Sequence, residues 1–132
     1  YIDVLEHIEK DELELKRAVQ KLKKTGILIV LAPAHQILFT PFDDAIGHFR
    51  RYNKNQLMKI SPPEIRLLRV RYLDSAGCLA SLSNKFMLKS GTPTRQQIIF
   101  WDKILVPFSR LLDPLFGYKI GKSIYMVWQK NQ

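Results

Sequence analysis

Apolar positions along the chain recur in two rhythms, one at helical spacing and one in continuous or alternating runs. Residues 1–5, Tyr-Ile-Asp-Val-Leu, read as the tail of a buried strand running straight into a helix. Asp11 and Glu14 have capping-box spacing, and Leu15, Ala18, Val19 and Leu22 then repeat at helical intervals. Lys21, Lys23 and Lys24 follow in the last turn, where cations suit the helix dipole, and Gly26 is expected as the left-handed cap. Residues 27–31, Ile-Leu-Ile-Val-Leu, are an unbroken apolar run, the pattern of a strand covered on both faces, and Pro33 ends it. Residues 33–52 are loop-rich. Asn53 and Gln56 then cap a short helix reaching Ile60, stopped by Pro62 and Pro63. Residues 65–72 alternate as a strand with one basic face. Small residues at Ala76, Gly77, Ala80 and Ser81 give residues 73–89 a weaker helical signal, and 90–94 read as a turn. Ile98, Trp101, Ile104, Phe108 and Leu111 mark a helix kinked at Pro107, its stripe a core or interface face, and residues 123–129 are the last strand. Strands and helices in alternation predict an α/β layered sheet.

Length and charge narrow this picture. At 132 residues the chain accommodates one domain, 1–132, with a real core, and is too short for two. Its 46% hydrophobic and 25% charged content excludes disordered, collagen-like and coiled-coil classes. One cysteine, Cys78, excludes an internal disulfide and a cysteine-based zinc site, and fits a reducing cytoplasm, the expected location. Acids at Asp3, Glu6 and Glu9 replace the cationic and apolar start of a secretory leader, and the run 27–34 is too short to span a bilayer. The formal charge of +9 favours an anionic partner: nucleic acid, a phosphate-bearing metabolite or an acidic membrane surface. Arg66, Arg69 and Arg71, with Lys54 and Lys59 near in sequence and Tyr52 and Tyr72 interleaved, fit a nucleic-acid surface or simply a solvated face. Residues 79–88 and 101–108, apolar and aromatic between cations, fit either packing faces or a lipid-facing surface.

Candidate chemistry gathers in the first half. Asp3, Glu6 and His7 stand at i, i+3 and i+4, and project from one face if that stretch is helical. His48 comes from the loop after the next strand, and in parallel α/β sheets such loops meet at one carboxyl edge. Two carboxylates and two imidazoles suit Mg2+ where oxygen ligands dominate, and Mn2+, Fe2+ or Zn2+ where both imidazoles bind. The competing reading has Asp3 and Glu6 serving a helix N-terminus while His7 bonds a neighbouring loop. His35, at the end of the second strand, is a candidate general base, or else polar surface. Arg50, Arg51 and Tyr52 either grip an anionic substrate or fix the loop, with one arginine paired to Asp43 or Asp44.

Two phrases carry a family resemblance. One is Tyr1-Ile2-Asp3-Val4-Leu5-Glu6-His7-Ile8, followed by a helix, Lys24-Thr25-Gly26 and the strand to Ala32-Pro33. The other is Phe42-Asp43 with Ile46-Gly47-His48-Phe49-Arg50-Arg51-Tyr52 and Gln56-Leu57. Together they resemble the second half of a class I S-adenosylmethionine-dependent methyltransferase, with Lys24-Thr25-Gly26 in place of the family's K-P-G-G turn. The resemblance implies a partial Rossmann-like sheet, equivalent to strands four to seven with the last strand antiparallel, flanked by helices. It also implies S-adenosylmethionine as donor in the full-length enzyme and a small-molecule or lipid-like acceptor. Ile2 and Asp3 would lie against the cofactor, and His35 and His48 become the candidate catalytic residues. The spacing of Asp3, Glu6, His7 and His48 is similar to the E-x-x-E-H and distant His of small-RNA 2′-O-methyltransferases, with Asp3 where those have Glu. Its first part also resembles the ubiquinone-pathway O-methyltransferases. The six glycines include no G-x-G-x-G turn after a strand, so the donor-binding half is absent and little activity is expected of this chain alone. An uncovered first strand would favour a homo-oligomer. The alternative class is a non-catalytic basic module for nucleic acid or an anionic membrane.

Overall fold

Three strands, β1 (Ile27–Pro33), β2 (Ile65–Leu73) and β3 (Ser123–Lys130), form an antiparallel sheet in the order β1-β3-β2. The structure is a computed structural model that describes residues 1–87 and 94–132, with side chains to residue 83 in the first of these segments. Because β3 runs against both neighbours, β1 and β2 point the same way and their carboxyl ends share an edge. Beyond β1 a short parallel bridge sets Ile2 opposite Leu31. There the Leu31 N–H donates to the Tyr1 carbonyl and the Asp3 N–H to the Leu31 carbonyl, both at 2.9 Å. Flanking helices are α1 (Asp11–Lys21), α2 (Pro41–Ala45), α3 (Lys54–Ile60), α4 (Ser75–Met87), α5 (Arg95–Phe100) and α6 (Val106–Leu115). The fold is thus α/β, with a small antiparallel sheet and helices beside it.

Strand register sorts the side chains into two faces. Leu28, Trp128 and Leu67 share one row, Val30, Met126 and Val70 the next, and Ala32, Ile124 and Tyr72 a third. This face packs into the core with Leu15 and Val19 of α1, Leu57 of α3, Leu5 and Tyr52. Each of its large apolar side chains contributes about 1.5–3 kcal/mol by leaving water. The opposite face carries the rows Ile27–Gln129–Arg66, Ile29–Val127–Arg69 and Leu31–Tyr125–Arg71. Ile27 and Ile29 remain 44% and 40% exposed, so the apolar run of β1 is covered on one face and not on both as its sequence predicts. On β2 the register shifts between Leu67 and Arg69. The extra residue, Leu68, returns Arg69 and Arg71 to the side that Arg66 occupies, which builds the expected basic face.

Several local expectations are corrected. The chain does not run from the first strand into a long helix: Leu5–His7 form one 3₁₀ turn, and α1 starts at Asp11. Asp11 is the first residue of α1 and not its cap, because long-range partners (Tyr52 and Arg50) claim its carboxylate. The left-handed residue after α1 is Thr25 (φ 60°), whereas Gly26 is needed for close approach, since a Cβ there would meet the Lys23 carbonyl at 2.8 Å. The Asn53–Gln56 capping box forms as expected. Pro107 causes no simple kink: a π turn at Trp101–Leu105 precedes α6, and the proline sits in the first turn of α6, where a missing N–H costs little. The turn expected at 90–94 lies, but for Thr94, outside the described residues.

Between β2 and β3 the described residues of the insertion carry α4, α5, the π turn and α6. Its organiser is a pair of acids. Asp113 Oδ2 and Oδ1 accept the Asp74 and Ser75 N–H groups, each at 2.9 Å, and so cap the start of α4 from 38 to 39 positions away. Asp74 accepts from Gly77 N, Ser109 Oγ and Trp101 Nε1, and a side chain at Gly77 would collide with that carboxylate. Asp113→Ala should therefore cost about 2 kcal/mol by stranding the buried Ser75 N–H and the part-buried Asp74 N–H. Urea denaturation reads the loss, and hydrogen exchange should localise it to the first turn of α4.

Candidate metal and acid–base centre

The segment after Ile2 leaves the sheet because Asp3 adopts a left-handed conformation (φ 50°), which turns the chain into the 3₁₀ turn at Leu5–His7. Leu5 and Glu6 point inward and are fully buried, while His7 lies at the surface. A second segment meets it from the loop after β1. The Phe49 N–H donates to the Glu6 carbonyl at 2.8 Å, and Gly47, left-handed at φ 81°, turns its own carbonyl towards His7. Glu6, His7 and His48 are thereby brought together, one ligand-type atom from each within 4.8 Å of the others.

Hydrogen bonding fixes both imidazoles. A carbonyl only accepts, so the His7 contact to Gly47 O at 3.2 Å requires Nδ1–H as donor. His48 Nδ1 donates likewise to Asp43 Oδ1 at 3.0 Å. In the neutral form of each ring Nε2 is then the nitrogen carrying the lone pair, and Nε2 of His48 faces Glu6 Oε1 at 3.9 Å. The two rings meet edge to face with centroids 4.6 Å apart. Neither oxygen of the buried Glu6 carboxylate has a hydrogen-bond partner among the described residues, and burial pushes its pKa above the usual carboxylate range. One carboxylate and two oriented imidazoles with outer hydrogen bonds are donor types that could hold a divalent ion such as Mn2+, Fe2+ or Zn2+. The same Nε2 of His48 is also a base held in one tautomer.

Asp43 holds the outer layer. Burial favours its neutral form, but Arg51 (Nε and Nη2 at 2.9 and 3.0 Å), the Thr40 N–H and His48 outweigh burial and hold its pKa below the ordinary value. Thr40 adds its hydroxyl to the same carboxylate at 2.9 Å.

The remaining sequence candidates fall elsewhere. Asp3 is exposed and outside the cluster, since its left-handed backbone breaks the helical spacing on which grouping it with Glu6 and His7 relied. Ile2 is 64% exposed on the sheet edge. His35 stacks on Tyr72 with centroids 4.9 Å apart, and burial lowers its pKa, favouring the neutral ring. Arg50, Arg51 and Tyr52 are engaged by the protein itself. Arg50 bonds Asp11 Oδ2 at 2.6 Å and the Glu9 carbonyl, and Arg51 is committed to Asp43. Tyr52 is buried, and its hydroxyl donates to Asp11 Oδ2 at 2.8 Å. Of the two readings the sequence leaves open for this triplet, the loop-fixing one describes these contacts. Sequence reasoning missed Asp43 as the partner of His48; the signal available was Gly47, whose turn folds the histidine back over α2. A shallow cavity of about 220 Å³ lined by Asp11, Arg50, Tyr52, Gln56, Lys59 and Ile60 shares no residue with the cluster.

Two measurements test this chemistry. Arg51→Ala should destabilise the fold by about 3–5 kcal/mol, because Asp43 keeps a buried charge without its counter-ion. Asp43 has a lower pKa folded than unfolded, so its stabilisation is full above about pH 4 and disappears as pH falls through the folded value. Asp43→Asn should flatten that acid limb of the stability curve. Glu6 has the opposite sign: its raised pKa favours the folded state when protonated, an advantage lost as pH rises. At pH 7 without divalent ions, Glu6→Gln should raise the unfolding free energy by about 1 kcal/mol. Mn2+ or Zn2+ should raise the melting temperature of the parent chain and leave Glu6→Gln unchanged.

The chain matches no protein-family model and no curated protein. Among solved structures it is similar to one described as the crystal structure of MccD protein, with a TM-score of 0.42 and 13% sequence identity. The similarity covers 96% of this chain and 57% of the MccD chain, so this chain spans little more than half the length of that structure.

Proposed function

We propose that this chain is the C-terminal portion of an S-adenosylmethionine-dependent methyltransferase acting on a small-molecule or lipid-like acceptor. The observation that carries the reading is the course of residues 1–7. They lie parallel beside β1 and deliver Glu6 and His7 to meet His48, in a sheet whose last strand is antiparallel. That is the arrangement the resemblance implies for the equivalents of strands four to seven of a partial Rossmann-like sheet.

Methyl transfer between a sulfonium carbon and a nucleophile is accelerated chiefly by alignment of the two. In this reading the glycine-rich donor turn belongs to the preceding half, and Ile2 and Asp3 stand at the edge where that half meets this one. Glu6, His7 and His48 face the acceptor side. A divalent ion held by them would lower the pKa of an acceptor hydroxyl. Asp43 and Gly47 keep both imidazoles in the required tautomer, and Nε2 of His48 takes the acceptor proton where no ion is held.

Calorimetry tests the reading. Residues 1–132 should show no micromolar binding of S-adenosylmethionine. A chain extended upstream through a strand and G-x-G-x-G turn should bind it and transfer a labelled methyl group. Micromolar binding by residues 1–132, or an upstream sequence without that turn, would overturn the proposal.

A further inference from the structure

The insertion between β2 and β3 presents its polar and apolar sides in reverse. Ser109 and Asp113 of α6 are 2% and 5% exposed, bonded to the start of α4, whereas Ile104, Phe108, Leu111 and Leu115 are 53%, 52%, 71% and 80% exposed. These four follow one another at intervals of four, three and four residues, a single stripe through the π turn and α6, on the side away from Ser109 and Asp113. Phe100 and Phe116, 50% and 42% exposed, extend the apolar surface at either end. An isolated exposed leucine needs no explanation, but a contiguous stripe of large apolar side chains marks a contact surface.

Charge selects the kind of partner. Lys103 and Arg110, seven residues apart, lie along one flank of the stripe, and Lys119 follows beyond its end; all three are exposed. Asp102 projects from the opposite side of the helix, and Asp113 is consumed as a cap. The whole chain carries a formal +9. Apolar side chains bordered by cations match a surface with an apolar interior and an anionic skin, which is a lipid bilayer. Among the described residues no helix is long and apolar enough to cross a membrane, so the segment would lie in the interface plane.

We propose that the π turn and α6 dock onto an anionic membrane surface, with Ile104, Phe108, Leu111 and Leu115 entering the acyl boundary. Lys103, Arg110 and Lys119 then sit among the headgroups. The inference is independent of the methyltransferase reading, because it rests on the exposed stripe alone.

Flotation of the 132-residue chain with vesicles tests it. Vesicles of equimolar phosphatidylglycerol and phosphatidylcholine should retain the chain, and pure phosphatidylcholine vesicles should retain it weakly. The double variant Phe108→Glu/Leu111→Glu should lose about tenfold or more of the binding with an unchanged circular dichroism spectrum and melting temperature, since Ser109 and Asp113 anchor the helix from the other side. Lys103→Glu/Arg110→Glu should weaken binding and reduce its salt dependence. No retention at low salt would overturn the proposal. So would full retention of the Phe108→Glu/Leu111→Glu variant, which would assign binding to the arginine face of the sheet. A dimer by light scattering that the variant dissolves, without vesicle binding by the parent, would instead identify the stripe as a contact between copies.

Discussion

Asp43 and Arg51 form the interaction on which the candidate site depends. The two-bond guanidinium–carboxylate contact is almost entirely buried, and it closes the loop between β1 and α3 upon itself. From that closure follow three placements. His48 is oriented by Asp43 Oδ1, the oxygen that also accepts from Arg51 Nε, Thr40 is tied to the start of α2, and Tyr52, next to Arg51, is delivered to a parallel bridge with Ala34. Tyr52 in turn connects the loop to Asp11 and to the carbonyl of Leu5, one residue before Glu6. One ion pair therefore orders both segments that supply the cluster. Its desolvation is costly, and the cost is offset because nearly every polar atom of the pair is bonded; Arg51 Nη1 is the exception among the described residues.

Surrounding this ordered loop are surfaces of a different character. Ile2 and Val4 on the first segment, Ile27 and Ile29 on β1, and the stripe of α6 all present large apolar groups to solvent. The first two sets adjoin along the same margin of the sheet, where a parallel neighbour would continue the bridge that Ile2 begins. The stripe of α6 belongs to a separate unit, secured to the sheet ends by Asp74 and Asp113. Core, edge and insertion thus follow different rules: alternation sets the first, backbone pairing the second, and polar anchoring the third.

What could be read from the sequence follows the range of the forces involved. The strands at 27–31, 65–72 and 123–129, and the box at Asn53 and Gln56, are written in neighbouring residues and appear where local pattern puts them. Asp11 failed as a cap because a tyrosine 41 positions away claims its carboxylate, which no local pattern reports. Asp113 acts over a similar separation and was equally silent. Periodicity located the stripe of residues 98–112 but says nothing of which way a stripe faces, and here buried serine and aspartate reverse the usual orientation. Convergence of Glu6, His7 and His48 was legible because strand order constrains where loops meet. The exclusion of Asp3 was not, since it depends on one backbone torsion.

The bulge at Leu68 has a consequence for how this sequence can drift. Parity along β2 assigns guanidinium groups to one side and core residues to the other, and one surplus position resets that parity midway. Composition at Arg66, Arg69 and Arg71 is then free to vary without disturbing the core, while the pairing that sets aside Leu68 is not. Drawing Leu68 into regular pairing would turn Val70 outward and bring Arg69 and Arg71 against Trp128 and its neighbours, whereas deleting Leu68 would leave plain alternation with the same two faces. Parity, more than length, is what heredity must preserve in that strand.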